Sequence, residues 1–136
     1  HLEIKLQIDK SCYIEFDNNR FLKHPETSII IDLVSNLEWI VGPDNNINHY
    51  DAEKWVSGLE GDWRLPKLCD LKMICDSGIR LDDWGPFENR GSWVWTGELN
   101  PDDSSLARYF DFFNIFDFWV ARDYSDDLRV FAVRDR

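Results

Sequence analysis

The first third of the chain has the residue patterns of β-strands. Apolar side chains occupy every second position from Leu2 to Ile8, which is the period of a strand that buries one face. We expect this strand to pair with another terminal strand. Residues 28–34 are rich in Ile and Val and predict a strand covered on both faces. Residues 42–46 carry Gly, Pro, Asp and Asn and predict a loop.

The middle of the chain has a helical period instead. Four apolar residues fall on one helical face: Ala52, Trp55, Val56 and Leu59. Asp51 precedes them as the expected N-cap. A second helix is predicted from Leu68 to Cys75, ending at residues 77–78 and carrying Asp70 in its first turn, where the helix dipole favours negative charge.

The last third returns to strand patterns separated by polar turns. The predicted strands cover residues 92–96, 108–113, 118–122 and 128–134. Strands therefore flank a helical middle, and this order predicts an α+β fold with two short helices packed on antiparallel sheets.

The composition bounds the class of protein and its partners. The chain has 136 residues, of which 43% are hydrophobic and seven are Trp, so it can bury a large aromatic core. No stretch rich in Gly, Pro or Ser marks a linker, and we interpret residues 1–136 as a single domain. The net charge of −11 repels phosphate backbones, which argues against nucleic acid as a partner. The same carboxylates favour solubility and attract cations.

The cysteines permit at most one intramolecular disulfide, because there are three of them: Cys12, Cys69 and Cys75. Cys69 and Cys75 share the second helix, and their spacing places them on different faces. No C-x-x-C pair occurs and the histidines are scattered, which argues against a zinc site.

The hydropathy of the chain predicts no membrane span, because no apolar run reaches about 18 residues. The first ten residues lack the apolar centre of a signal peptide, so we expect any export signal to lie outside this sequence.

Five segments resemble, in order, motifs of the Lcl C-terminal domain family of bacteria. The segment Trp63-Arg64-Leu65-Pro66 is similar to its W-R-L-P motif. Residues 32–39 resemble its D-x-x-T-G-L-x-W entry, and residues 51–55 its D-A-x-x-W helix start. Residues 93–96 and 129–134 resemble its Y-W-S-S and V-R-C-V-R segments. The resemblance covers residues 29–134.

This resemblance implies a C-type-lectin-like fold in a protein that is secreted, periplasmic or on the cell surface. Some members recognise glycosaminoglycans through a basic surface, and this acidic chain is not expected to share that ligand. Two departures from the motifs are Asn36, where Gly is usual, and Lys67, where a helix-capping Ser or Thr is usual. Asn also adopts the left-handed conformation that such a turn needs.

The W-R-L-P motif is interpreted as structural rather than as a ligand platform. Trp63 and Leu65 are expected to fill the core, Arg64 to pair with a buried carboxylate, and Pro66 to fix the entry into the second helix. The other tryptophans assigned to the structural motif are Trp39, Trp55, Trp93 and Trp95.

Two acidic loops offer oxygen ligands for calcium. One set is Glu98, Asn100, Asp102 and Asp103, and the other is Asp123, Asp126 and Asp127. Neither contains the Glu-Pro-Asn triplet of mannose-type lectins, and Asp-rich turns are common. No cofactor is otherwise expected.

The segment from Tyr109 to Tyr124 carries more aromatic surface than two strands normally expose. If Phe112, Phe118 and Val120 face the core, then the remaining aromatic side chains lie near the surface: Phe113, Phe116 and Trp119. The alternative is a sheet covered on both faces. The predicted ligand-binding residues are Glu98, Asp102, Asp103, Phe116, Trp119, Arg122, Asp123 and Tyr124.

The sequence thus predicts a non-catalytic binding or adhesion domain for a glycan or protein ligand. No nucleophile elbow, zinc-protease helix or phosphate loop occurs. The first alternative is a structural subunit that forms a homo-oligomer through its exposed aromatic residues. A weaker alternative is an enzyme that cleaves glycans with a carboxylate pair.

Overall fold

The computed structural model describes residues 12–16, 20–78, 84–88 and 91–136. Its elements confirm the predicted α+β class, with two helices and two sheets that are mainly antiparallel. In chain order they are β1 (Ile14–Phe16), β2 (Phe21–Lys23), β3 (Ile30–Asp32), β4 (Leu37–Val41), α1 (His49–Ser57), α2 (Leu68–Asp76), β5 (Trp93–Asn100), β6 (Asp103–Asp111), β7 (Phe116–Ala121), β8 (Leu128–Arg129) and β9 (Phe131–Asp135).

The first sheet has the order β1-β2-β3-β4-β9 and is antiparallel throughout. The C-terminal strand β9 joins it beside β4, with Trp39 opposite Val133. The strand predicted at Leu2–Ile8 lies outside the described residues, and so does its expected pairing with the other terminal strand.

The second sheet has the order β7-β6-β5-β8. β8 pairs with β5 in parallel, which differs from the all-antiparallel sheets that the sequence predicted. The reason is that the strand predicted at 128–134 divides at Val130. Its first two residues join the second sheet and its remainder joins the first, so one apolar segment ties the two sheets together.

Both helices lie where the apolar period predicts them, but the first begins earlier than expected. Asn48, and not Asp51, is the N-cap of α1, because Asn48 Oδ1 accepts a hydrogen bond from the Asp51 backbone N–H at 2.8 Å. Asp51 thus occupies the first turn. α2 begins after Lys67, whose backbone N–H donates to the Asp70 carboxylate at 2.9 Å.

The second sheet separates two hydrophobic clusters. One cluster includes Trp39, Leu71 and Phe110 and receives the inward face of α2. The other includes Trp95 and Tyr109 and receives α1 through its buried side chains, Ala52 and Val56. Because residues such as Val94 and Trp95 alternate between the clusters, the central part of this sheet is covered on both faces.

The W-R-L-P motif connects α1 and α2 and packs against the core, but Trp63 and Leu65 are only partly buried and so do not fill the core as predicted. Arg64 exchanges two backbone hydrogen bonds with Val133 of β9, at 3.0 and 2.9 Å. Its side chain pairs with the buried Asp70 at 2.9 Å. Trp63 and Leu65 pack against the Trp95 cluster.

The remaining tryptophans of the predicted structural set lie in the hydrophobic clusters or pack against them. Trp39 and Trp95 are fully buried, while Trp55 and Trp93 are partly buried against the Trp95 cluster. No helix in the described part of the chain is long and apolar enough to cross a membrane.

Candidate functional site

Charged and aromatic side chains form a row across β5, β6 and β7 on the sheet face that carries α2. At its centre is Arg108, whose Nε and Nη2 donate to Asp117 Oδ2 at 2.7 and 2.6 Å. Its guanidinium also lies 5.1 Å from the ring centroid of Trp119 and 3.4 Å from Glu98 Oε1. The row is thus Glu98, Arg108 and Trp119, with Asp117 beside them.

Strand register explains why these side chains meet. Arg108 lies directly opposite Trp119 in the antiparallel β6–β7 pair, so both side chains emerge on one face. On the other side, Trp95 pairs with Tyr109 and Leu99 with Ala107, so β5 carries extra residues over this stretch. This β-bulge brings Glu98 to Arg108.

A cleft of about 540 Å³ lies between this row and the beginning of α2. Its lining residues are Lys67, Leu68, Cys69, Lys72, Glu98 and Arg108. Glu98 Oε2 accepts the backbone N–H of Leu68 at 3.0 Å, so this carboxylate joins the helix to the sheet. The described lining residues include three cationic side chains and one carboxylate, in a chain whose net charge is −11.

The opposite face of β7 carries a row of aromatic rings. Tyr109 lies 5.0 Å from the ring of Trp93 and 5.6 Å from that of Phe118, and Phe118 lies 6.2 Å from Phe116. Tyr109 is buried, whereas Phe118 and Phe116 are 43% and 63% exposed. The row therefore runs from the core to the surface at β7.

The predicted burial of these aromatics is correct except at one residue. Phe112 is fully buried, and Phe113, Phe116 and Trp119 are exposed, as expected. The prediction that Phe118 faces the core is wrong. Phe118 does share a face with the partly buried Val120, but it lies on the outermost strand, where that face is only partly covered.

Arg122 follows β7 and is held against the N-terminus of α1. Its Nε donates to Nδ1 of the buried His49 at 3.0 Å, and its guanidinium pairs with Glu53 and lies 4.1 Å from the ring centroid of Tyr50. His49 Nε2 lies 2.9 Å from Thr96 O. Burial lowers the pKa of His49 against the hydrogen bond to Thr96, which acts to raise it.

The first predicted calcium loop is the turn between β5 and β6. Asp103 is exposed and accepts hydrogen bonds from the Ser105 hydroxyl and backbone N–H, which lower the pKa of Asp103. Asn100 accepts the Asp102 backbone N–H at 2.8 Å. These oxygens thus stabilise the turn itself.

The second predicted calcium loop follows β7. Asp123, Asp126 and Asp127 are all exposed, and the Asp127 backbone N–H donates to Asn46 Oδ1. Among the residues that the structure describes, no group of three or more His, Cys, Asp or Glu side chains is placed to hold a metal ion.

The structure brings the predicted ligand residues into three places rather than one. Glu98 and Trp119 meet at Arg108. The hairpin turn with Asp102 and Asp103 lies beside the turn with Asp123 and Tyr124, since Arg122 N donates to Ser105 O at 2.9 Å. Phe116 lies on the other face of the sheet.

Sequence reasoning missed four residues of the cleft region: Lys67, Lys72, Arg108 and Asp117. A cation at position 108, inside a segment predicted to be a strand, was a visible signal, because an interior strand seldom carries an unpaired charge. Lys67 was noted only as an imperfect helix cap.

Cys69 is exposed and Cys75 is buried, which confirms that they lie on different faces of α2.

A smaller cleft of about 390 Å³ lies beside the W-R-L-P motif, between α1 and β5. Its lining includes Glu53, Trp63 and Arg64, and Arg64 is already engaged with Asp70. The larger cleft contains a residue of the predicted ligand set, Glu98, and is flanked by another, Trp119, so it is the stronger candidate.

No protein-family model matches this chain, and no curated protein matches it in sequence.

Proposed function

We propose that this chain is a non-catalytic binding domain that recognises a glycan in the cleft between α2 and the β5–β6 strands. The observation that carries the proposal is the position of Arg108, which two carboxylates hold beside the exposed indole of Trp119. A planar aromatic face next to fixed charged groups suits a sugar ring, which presents both an apolar face and hydroxyl groups.

The size and wall chemistry of the cleft support a small or oligomeric ligand. Its volume of about 540 Å³ lies within the range of ligand pockets in proteins. The cleft offers a ligand hydrogen-bond donors on Lys67, Lys72 and Arg108 and an acceptor on Glu98. The excess of cations favours a glycan with carboxylate groups over a basic one.

The pairing of the charged groups supports binding rather than catalysis. Glycoside hydrolysis commonly uses two carboxylates on either side of the scissile bond. Among the residues that the structure describes, the cleft lining holds one carboxylate, Glu98, which is engaged with Leu68 and Arg108. Asp117, the nearest further acid, is paired with Arg108.

We infer a C-type-lectin-like body for this domain and membership of the Lcl C-terminal domain family. The order of strands, two helices and further strands supports this inference, as does the W-R-L-P segment that links the helices to β9. We propose, from the family resemblance, that the protein is secreted, periplasmic or on the bacterial cell surface.

We propose that ligand binding needs no calcium. Asp103 accepts hydrogen bonds from Ser105 within its own turn, and the described part of the chain contains no group of three or more His, Cys, Asp or Glu side chains placed to hold a metal ion. Binding measured with 1 mM calcium and with a chelator should therefore give the same affinity.

Glycan binding can be tested with an array that holds neutral, uronate-bearing and sulfated oligosaccharides. We expect binding to uronate-bearing or neutral members and weaker binding to highly sulfated ones, which the net charge of −11 repels. Trp119→Ala should weaken binding about 5- to 30-fold, since loss of stacking removes about 1–2 kcal/mol. Val34→Ala, which removes an apolar side chain that is 69% exposed in the turn between β3 and β4, is the control and should bind normally.

Two results would overturn the proposal. One is the absence of binding to every oligosaccharide on the array by a folded protein. The other is binding that Trp119→Ala and Val34→Ala affect equally, because the ligand would then lie away from the cleft.

A further inference from the structure

β7 is the outermost strand of the second sheet and, among the described residues, has a strand partner on one side only. Arg122 N donates to Ser105 O at 2.9 Å, so Arg122 and Ser105 form a hydrogen-bonded pair. Hydrogen-bonded and non-hydrogen-bonded pairs alternate along antiparallel strands, so this pair shows which β7 residues bond to β6. Phe116, Phe118 and Val120 consequently direct their backbone groups to β6. Asp117 and Trp119 direct theirs away from the sheet, where they can accept another strand.

β7 lacks the sequence features that commonly prevent an edge strand from pairing with another chain. β7 carries no Lys, Pro or Gly, and its one charged residue, Asp117, is neutralised by Arg108 at 2.6 Å. Although the whole chain is strongly acidic, the edge is locally balanced in charge. A second copy is therefore not repelled at this strand.

We propose that two copies of this chain pair through β7 in antiparallel orientation, with Phe118 opposite Phe118 of the second copy. This register makes the backbone groups of Asp117 bond to those of Trp119 in the other copy. It leaves Ala121 O in its turn, where it accepts Tyr124 N at 3.0 Å. It also places Phe116, Phe118 and Val120 of both copies on the same face of the joined sheet, because opposite residues of antiparallel strands share a face.

The apolar surface at this edge fits a weak dimer. Phe116 and Phe118 of both copies lie on one face, whereas Trp119 lies on the other face, beside the cleft. Together with Phe113 and Ile115, which are 63% and 50% exposed, Phe116 and Phe118 present roughly 400–450 Å² per copy, taking about 200 Å² for a whole aromatic side chain. The total of roughly 800–900 Å² is the size of a weak, transient interface.

The pairing goes beyond ligand recognition and does not depend on it. A continuous sheet of eight strands would result, with the two Arg108 clefts on the same face, because the two-fold axis is perpendicular to the sheet. A surface that carries repeated glycans would then engage both clefts, which raises the effective affinity without any new contact.

Sedimentation equilibrium of the unmodified protein tests the pairing. We expect a mass that rises from 16.1 kDa toward twice that value as the concentration increases, with a Kd of roughly 10–100 μM. Phe118→Asp should raise the Kd at least tenfold, because it places two carboxylates opposite each other. Val34→Asp introduces the same charge at a 69% exposed residue outside the sheet edge and should leave the Kd unchanged.

Cysteine crosslinking tests the register. In a background with Cys12 and Cys69 replaced by Ser, Phe118→Cys should form a disulfide-linked dimer under mild oxidation, since opposed residues in such a pair have Cα atoms about 4.5 Å apart. Trp119→Cys lies opposite Asp117 and should crosslink much more slowly.

Two sedimentation results would overturn the proposal. One is a protein that stays monomeric at 1 mM, and the other is a dimer whose Kd neither Phe118→Asp nor Val34→Asp changes.

Discussion

Arg122 donates its Nε hydrogen to Nδ1 of His49, 3.0 Å away, and the imidazole ring is fully buried. An acceptor role for Nδ1 requires the proton of the neutral ring to be on Nε2, from which it is donated to Thr96 O at 2.9 Å. The His49 backbone N–H also donates to Arg122 O. The neutral ring thus fastens the start of α1 to the end of β7.

This arrangement predicts a loss of stability in mild acid. The pKa of His49 is lowered from 6.5 in the folded protein by burial. The unfolded chain therefore binds a proton at a higher pH than the folded chain does, and the free energy of unfolding falls as the pH decreases through 6.5 toward the folded pKa. Urea denaturation at pH 7.5 and at steps down to pH 5 measures this slope.

The matched variant for this prediction is His49→Gln, which keeps a hydrogen-bond donor but does not titrate. At pH 7.5 it should lower the free energy of unfolding by about 1–3 kcal/mol. Between pH 7.5 and 5, the free energy of unfolding of His49→Gln should fall less than that of the parent protein. Equal slopes would show that His49 is not the group that titrates.

Gly42 is predicted to be intolerant of any side chain. Its backbone N–H donates to Val130 O at 2.8 Å, and a Cβ atom would lie 2.5 Å from that oxygen. Gly42→Ala should therefore cost about 2–4 kcal/mol, measured by thermal or urea unfolding. Gly58→Ala is the control, because its Cβ would meet atoms only at 3.5 Å and its φ of −80° suits any residue. It should be neutral or slightly stabilising.

Asn36 adopts a left-handed conformation, with φ of 60°, in the turn between β3 and β4. Asn36→Gly should leave stability nearly unchanged, whereas Asn36→Val should cost about 1–2 kcal/mol, because a β-branched side chain clashes with the backbone there. Urea unfolding of both variants measures the difference. A Val variant as stable as the Gly variant would contradict the assigned turn.

Asp70 is predicted to stabilise the junction between the W-R-L-P motif and α2. Its carboxylate accepts from both Arg64 Nη1 and the Lys67 backbone N–H at 2.9 Å. Asp70→Ala should lower the free energy of unfolding by about 1–3 kcal/mol. Asp76→Ala, at the other end of the same helix, is the comparison variant and should change it by less than about 0.5 kcal/mol.

The sequence predicted the two helices well, because their buried side chains recur at helical spacing. It misplaced the start of α1 at Asp51 because the apolar period begins at Ala52. The fully buried residue that precedes it, His49, is polar and carries no such signal. The left-handed turn at Asn36 was also expected, since few residues other than Gly adopt that conformation readily.

The cleft and the exposed edge could not be predicted in the same way. The contact of Glu98 with Arg108 depends on a bulge in β5, and bulges leave little trace in a single sequence. The exposure of Phe118 depends on which strand lies at the edge of the sheet. Strand order is set by long-range pairing, such as that of β8 with β5, which residue periodicity does not encode.

The most direct test of the account is a ligand titration followed by NMR of the tryptophan indole N–H groups. With a uronate-bearing or neutral oligosaccharide that binds on the array, the Trp119 indole signal and the backbone signals of Lys67, Leu68 and Glu98 should shift together. The signals of the buried Trp39 and Trp95 should remain in place. Shifts confined to the turns at residues 100–103 and 123–127, with Trp119 unchanged, would contradict the assignment of the cleft.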